Sequence, residues 1–275
     1  MEVILAKNYG FCFGVRRAVD LLENELGRTN PVYTFGPLIH NQQFVDKMAE
    51  KGAKIVNELE DVKERSIVIS RAHGLEKEII EGLKNKKVTI IDGVCPFVNL
   101  VHKKALELES DGFQTIIIGE KDHPEVKAAA SYIKNPLIIE NSEEAKKIPN
   151  FERIGIVVQT TQSQQNVIDI VSALIENIKD IRIFNTRCSA TEERQNAAVE
   201  LAKIVDKMVI IGGKHSGNTK RLYQLCFEVK PSIHIETANE LEKDEFKNIN
   251  KVGITAGAST PQYIIDEVIE TLKTF

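Results

Sequence analysis

Residues Gly93–Leu108 read GVCPFVNLVHKKALEL, and this stretch sets the reading of the whole chain. The apolar run KVTIID ahead of it has the look of a strand, and the residues after Pro96 have the spacing of a helix. Proline suits the first turn of a helix, where its missing N–H costs nothing. Cys95 therefore stands at a helix N-terminus, where backbone N–H groups and the helix dipole favour a thiolate. The same strand–cysteine–helix arrangement occurs at Cys12, after EVILA, and at Cys188, after IRIF. The intervals are 83 and 93 residues, with 87 left after Cys188, as a threefold internal repeat requires.

Two further registers agree with the first. Twenty-eight residues after each cysteine come His40, His123 and Ser216, each just beyond an apolar strand, in the segments His40-Asn41, His123-Pro124-Glu125 and Ser216-Gly217-Asn218. Later in each unit, SIVIS ends in Arg71-Ala72-His73-Gly74, IGIVV in Gln159-Thr160-Thr161, and VGITAGA in Ser259-Thr260. The repeat units are 13–94, 95–187, and 188–275 together with 1–12. Strands and helices alternate, so the expected fold is α/β: three small parallel-sheet lobes of pseudo-equivalent design around a central site. In the first unit the pattern predicts helices at 14–27, 42–51, 58–63 and 75–85, with strands at 32–36, 53–56, 66–70 and 87–92. Runs such as TIIIG, PLIIE and IGIVVQ suit strands buried on both faces. The last unit lacks a closing strand, and Met1–Ala6 is expected to supply it.

In open parallel α/β sheets, ligands bind beyond the carboxyl ends of strands, and all the repeated markers lie at such ends. Three convergent thiolates can hold a catalytic zinc with one open position, or a [4Fe–4S] cluster with one iron free of protein. No CxxC pair or ferredoxin-type run decides between them. Cys226 is a contrast: it lies within RLYQLCFEV, on a face expected to carry Leu222, Leu225 and Val229, and reads as core. His40, His73, His123, Thr160, Ser216, Asn218 and Ser259 form a donor set, most of them just before a helix, which describes a phosphate or diphosphate pocket. The competing role for any single Ser, Thr or Asn is a helix N-cap. Glu125 is the one acid in the set, either a first-turn partner of the helix dipole or a proton carrier. His102 and His234 match no register and read as surface or strand residues.

Bulk properties narrow the class. The 275 residues carry a formal charge of −4, with 42% hydrophobic and 28% charged residues. That balance, without a long basic run, points away from nucleic acid. No apolar run approaches the ~20 residues of a membrane helix, and MEVILAKN is too short and acidic for a signal peptide. A cytoplasmic protein with reduced thiols is expected, with no membrane association.

Taken together, GFCFGVRRAV, GPLIHNQQFV, SRAHG, DGVCPFV..VH, DHPEV, QTTQS, NTRCSAT..RQ, HSGNTKRL and TAGAST resemble the 4-hydroxy-3-methylbut-2-enyl diphosphate reductases, from Met1 almost to the last residue. The resemblance implies a [4Fe–4S] cluster on Cys12, Cys95 and Cys188. It implies that His40, His73, His123, Thr160, Ser216, Asn218 and Ser259 hold the diphosphate of (E)-4-hydroxy-3-methylbut-2-enyl diphosphate, and that Glu125 relays a proton. The implied reaction, in the non-mevalonate route of isoprene biosynthesis, is a two-electron reductive dehydroxylation giving isopentenyl and dimethylallyl diphosphate. A ferredoxin or flavodoxin would supply the electrons. The family often has a second serine before the asparagine; here Gly217 stands there and offers only its backbone N–H. The alternatives from the residues alone are a zinc-dependent hydrolase or lyase acting on a phosphorylated metabolite, and a thiolate-based metal or redox sensor.

Overall fold

The computed structural model describes residues 1–39, 41–176 and 178–275. These form three parallel sheets of four strands each. The first contains β2 (Val32–Phe35), β3 (Ala53–Val56), β4 (Ile67–Ile69) and β5 (Thr89–Ile91). The second contains β6 (Gln114–Ile118), β7 (Leu137–Ile139), β8 (Arg153–Val158) and β9 (Asp180–Phe184). The third contains β10 (Lys207–Ile211), β11 (Ser232–Ile235), β12 (Lys251–Ala256) and, from the other end of the chain, β1 (Glu2–Leu5).

The strand orders are β3-β2-β4-β5, β7-β6-β8-β9 and β11-β10-β12-β1. Numbered within each repeat, all three read 2-1-3-4, and β1 takes fourth place through parallel pairing of Glu2–Leu5 with Lys251–Ile254. The N-terminal strand thus completes the third sheet, as expected. Helices alternate with the strands. In the first repeat α1 (Phe13–Glu25), α2 (Gln42–Glu50) and α3 (Lys77–Asn85) fall close to their expected places. The helix expected at 58–63 shrinks to a single 3-10 turn, Leu59–Asp61.

Burial follows position in the sheet. The central strands β6, β8, β10 and β12 are buried along nearly their whole length. The PLIIE strand, expected to be buried on both faces, is the edge strand β7, and two of its three residues are only half-buried. An edge has a neighbour on one side only, which apolar composition cannot reveal.

The structure comprises two compact units. One, Met1–Arg16, Ile39–Glu50 and Ser189–Phe275, contains the β1-bearing sheet together with α2. The other, Arg17–Leu38 and Lys51–Cys188, contains the remaining two sheets.

Two cysteines lead into helices that lie tightly on the third strand of the next sheet along the chain: α4 (Pro96–Ser110) comes after Cys95 and α8 (Ser189–Ala202) after Cys188. Leu108 of α4 sits over Gly155 of β8, where an added Cβ would come within 2.6 Å of the leucine side chain. Leu201 of α8 sits over Gly253 of β12, where the added Cβ would be 3.0 Å from Leu201 and 2.4 Å from Met208. Leu108 and Leu201 each lie thirteen residues after their cysteine, so the packing repeats in register. Gly155→Val overpacks a closed interface, and its expected cost is about 1–3 kcal/mol. Urea denaturation of this variant checks the value; an unchanged midpoint contradicts the close approach.

Candidate functional site

Each cysteine is presented in the same way. Cys95 donates its main-chain N–H to Ala72 O at 3.0 Å, Cys188 to Thr160 O at 2.8 Å, and Cys12 to Ala258 O at 3.3 Å. In every case the acceptor lies in the loop after the third strand of the same sheet, so strand four's loop is stitched to strand three's. Cys95 is the N-cap of α4, with Pro96 next. The three repeat cysteines are half-buried, whereas Cys226 is fully buried. Burial pushes the Cys226 thiol up to about 11, which keeps it protonated and inert. Cys226 lies in α9 (Gly217–Phe227) beside the buried Leu222, as expected of core. Val229, expected on that face, lies beyond the helix end and is 40% exposed.

The first and third strands of each sheet are neighbours where the chain's direction of travel across the sheet reverses, the usual place for a ligand. In the second sheet these are β6 and β8. The loop after β6 leads into α5 (Pro124–Ser131), and His123 is its N-cap, its Nδ1 accepting the Glu125 N–H at 3.2 Å. In a neutral ring that contact places the proton on Nε2, leaving a donor there. The His73 and His123 rings meet edge-on at 5.3 Å.

Glu125 is 1% exposed. Its Oε1 accepts the Thr160 N–H at 2.6 Å and its Oε2 accepts the Thr160 hydroxyl at 2.6 Å. Burial pushes its carboxyl from the ordinary 4.5 up to about 7, with the two Thr160 hydrogen bonds pulling the other way. Glu125 is thus an acid able to hold or release a proton near neutral pH. Gln159 supports the pair: its Oε1 accepts the Glu120 N–H at 2.9 Å, and its Nε2 donates to Thr161 Oγ1 at 3.0 Å. Gly119, between β6 and this loop, has no space for a Cβ, which would lie 2.7 Å from Val126 and 2.8 Å from Gln159.

In the third sheet Ser216 caps α9, its Oγ accepting the Thr219 N–H at 3.3 Å, so the competing N-cap role is realised there. Gly217 is exposed, with open space where a side chain would be. Asn218 comes next, in the first turn, and its Oδ1 is buried without a hydrogen-bond partner among the described residues. Ser259 sits between Ala258, which receives the Cys12 N–H, and the fully buried Thr260. His40 lies outside the described residues. Glu125, Thr160, His123 and His73 therefore form one cluster in the second unit, while Ser216, Gly217, Asn218 and Ser259 belong to the first.

Sequence reasoning passed over several residues. Arg194 is 4% exposed and donates to Gly10 O at 2.9 Å and Ala190 O at 3.2 Å. Arg17 donates to Val94 O at 3.0 Å. Their presence in the FGVRRAV and ATEERQ motifs was the available signal. His102, expected at the surface or on a strand, lies in α4, packs against Tyr132 at 5.3 Å and under Gly74, and burial lowers its pKa to about 4 against the opposing pull of Asp92. His234 is a strand residue as expected, on β11, its Nε2 donating to Gly212 O at 2.8 Å. Among the described residues no three His, Cys, Asp or Glu side chains are gathered as a single-ion site, and no helix is long and apolar enough to cross a membrane.

A family profile described as LytB protein matches residues 3–273. The chain belongs to the LytB family. It is 44% identical over 275 residues to the 4-hydroxy-3-methylbut-2-enyl diphosphate reductase of Nitratiruptor sp., covering 99% of this chain and 98% of that one. A solved structure of (E)-4-hydroxy-3-methyl-but-2-enyl diphosphate reductase, described as the terminal enzyme of the non-mevalonate pathway, superposes with a TM-score of 0.83 at 40% identity, with both chains fully covered. The E-1-hydroxy-2-methyl-but-2-enyl-4-diphosphate reductase of Plasmodium falciparum gives 0.88 at 30% identity, covering 99% of this chain and 88% of that one. These LytB relatives are named as reductases, which favours neither the hydrolase or lyase alternative nor the sensor.

The raised Glu125 pKa makes stability depend on pH in a definite direction. Folding favours its protonated form, so this contribution to stability is fully present below about pH 4.5 and is lost as pH rises through about 7. Glu125→Gln cannot ionise, and Thr160's hydroxyl can reverse to accept from the amide. Relative to this variant, the parent should lose stability on the order of 3 kcal/mol between pH 4.5 and pH 8. Paired urea titrations at the two pH values measure it; a pH-independent difference shows that the carboxyl is not perturbed.

Proposed function

We propose that the chain is a 4-hydroxy-3-methylbut-2-enyl diphosphate reductase, an oxidoreductase of isoprenoid biosynthesis acting in the cytoplasm. The observation that carries this reading is identity of 40–44% over essentially the full chain to reductases of that name. Cys12, Cys95 and Cys188, which stand at the boundaries of the repeat units 13–94, 95–187, and 188–275 with 1–12, would supply three thiolates to a [4Fe–4S] cluster. The donor chemistry fits. The three thiols are half-buried at helix starts, whereas the inert Cys226 is buried within a helix. A cluster would ask for no single-ion cage among these three thiols. Bound there, a cluster with one iron lacking a protein ligand supplies single electrons and a Lewis acid.

The protein's own residues account for binding and proton delivery. His40, His73, His123, Thr160, Ser216, Asn218, Ser259 and the Gly217 N–H would hold the diphosphate, with His123 presenting an Nε2 donor. Asn218 would donate to the diphosphate through its Nδ2 amide, because its Oδ1, buried without a protein partner among the described residues, can only accept. Glu125 holds a proton at neutral pH and gives it to the departing hydroxyl, which leaves as water when the C–O bond breaks. Two electrons and a second proton complete the product, the electrons coming from a ferredoxin or flavodoxin. Thr160 keeps the Glu125 carboxyl in place through both of its oxygens.

The test is anaerobic turnover of the allylic diphosphate by reduced protein, with Glu125→Gln alongside. The parent should be brown and form both five-carbon diphosphates. The variant should keep its colour and bind substrate, and loss of a positioned acid should cost ~10²–10⁴ in turnover. A parent without reductase activity overturns the function; near-normal turnover by the variant returns Glu125 to the role of a helix-start acid.

A further inference from the structure

Two arginines grip the backbone immediately ahead of two of the cysteines, and neither is among the residues proposed above for diphosphate binding or proton delivery. Val94–Cys95 is one peptide group held at both ends. Arg17 donates to its carbonyl at 3.0 Å, and its N–H, that of Cys95, donates to Ala72 O at 3.0 Å. A peptide plane fixed in this way cannot rotate, so the direction in which Cys95 leaves the backbone is set. The neighbouring turn is equally constrained. Gly93 donates to Ser70 Oγ at 2.8 Å, and a Cβ on Gly93 would lie 2.1 Å from Ser70 O.

Cys12 poses a harder problem. Its strand ends at Leu5, so the approach loop is longer than those after Ile91 and Phe184 and leaves more conformations to suppress. Gly10 turns the chain with φ +64°, a conformation that L side chains rarely adopt. Its N–H donates to Ala256 O at 3.2 Å, and its carbonyl receives the Arg194 guanidinium at 2.9 Å. Arg194 is 4% exposed, and a buried cation is retained only where hydrogen bonds and nearby charge offset its desolvation. Both arginines come from helices that themselves begin at a cysteine. Arg17 lies five residues after Cys12, and Arg194 six after Cys188; the same offsets after Cys95 carry Leu100 and Val101.

We propose that Arg17 and Arg194 are positioning residues for the thiolates. They hold the backbone ahead of Cys95 and Cys12 in the ligating arrangement and thereby govern how firmly iron is retained. The inference rests on the reading of Cys12, Cys95 and Cys188 as cluster ligands. Arginine is suited to the task because its charge is permanent and its planar fork reaches a carbonyl with little entropy lost per hydrogen bond.

The test compares anaerobically purified Arg17→Gln, Arg17→Lys, Arg194→Gln and Arg194→Lys with the parent. Two core variants, Ile170→Ala and Val268→Ala, serve as controls for general destabilisation. Iron and sulfide per chain, the rate of iron release to a chelator, and melting temperature are measured on each. The Gln variants should release iron about tenfold faster or more, the scale set by losing one charge-assisted hydrogen bond. The Lys variants should fall between Gln and the parent. The core controls should melt lower yet hold iron as the parent does. Should Arg194→Gln fail to fold, Arg17→Gln and the Lys variants carry the comparison. Release rates that match the parent, or that track melting temperature in the arginine and core variants alike, overturn the proposal. A parent containing no iron or sulfide overturns the cluster reading itself.

Discussion

All four strands of each sheet run the same way, and this directionality places four loops along one edge of each sheet while leaving the last polar groups of every strand to be satisfied by those loops. The solution is the same in all three sheets. The glycine after the first strand donates to the end of the second: Gly36 to Val56 O, Gly119 to Ile139 O and Gly212 to Ile235 O. The cysteine after the fourth strand donates to the loop of the third. Thiols, histidines and hydroxyls are thus set in place by hydrogen bonds that the parallel sheets require in any case.

Much of this was legible because it is periodic. The intervals between Cys12, Cys95 and Cys188, and the two registers after them, identify equivalent positions without reference to contacts. The missing closing strand of the third repeat pointed to β1, and the pairing of Val3 with Val252 shows it there. Where local pattern was the only guide, detail slipped. Within 58–63 only Leu59–Asp61 form a 3-10 turn, and the Lys86 Nζ donates to Leu59 O and to Val62 O at its two ends. Val229 keeps the helical spacing of Cys226, but the helix has already ended.

The parts that were not legible depend on distant segments meeting. Glu125 could be an acid at a helix start or a proton carrier. The difference lies in burial and in Thr160, 35 residues away, neither of which is written around Glu125. Arg194 reaches a carbonyl 184 residues distant, and no periodicity announces such a contact. His102 looks like any helical histidine until Gly74 and Tyr132 close over it. In each case the residue type was visible and the partner was not.

The central claim is that three equivalent cysteines are a ligand set and the fourth is not. Iron and acid-labile sulfide content of anaerobically purified Cys12→Ser, Cys95→Ser, Cys188→Ser and Cys226→Ser tests it most directly, because a hydroxyl is a poor substitute for thiolate at iron. Iron and sulfide should be depleted in the first three and parent-like in Cys226→Ser. Loss of iron from Cys226→Ser together with full retention in Cys188→Ser would contradict it.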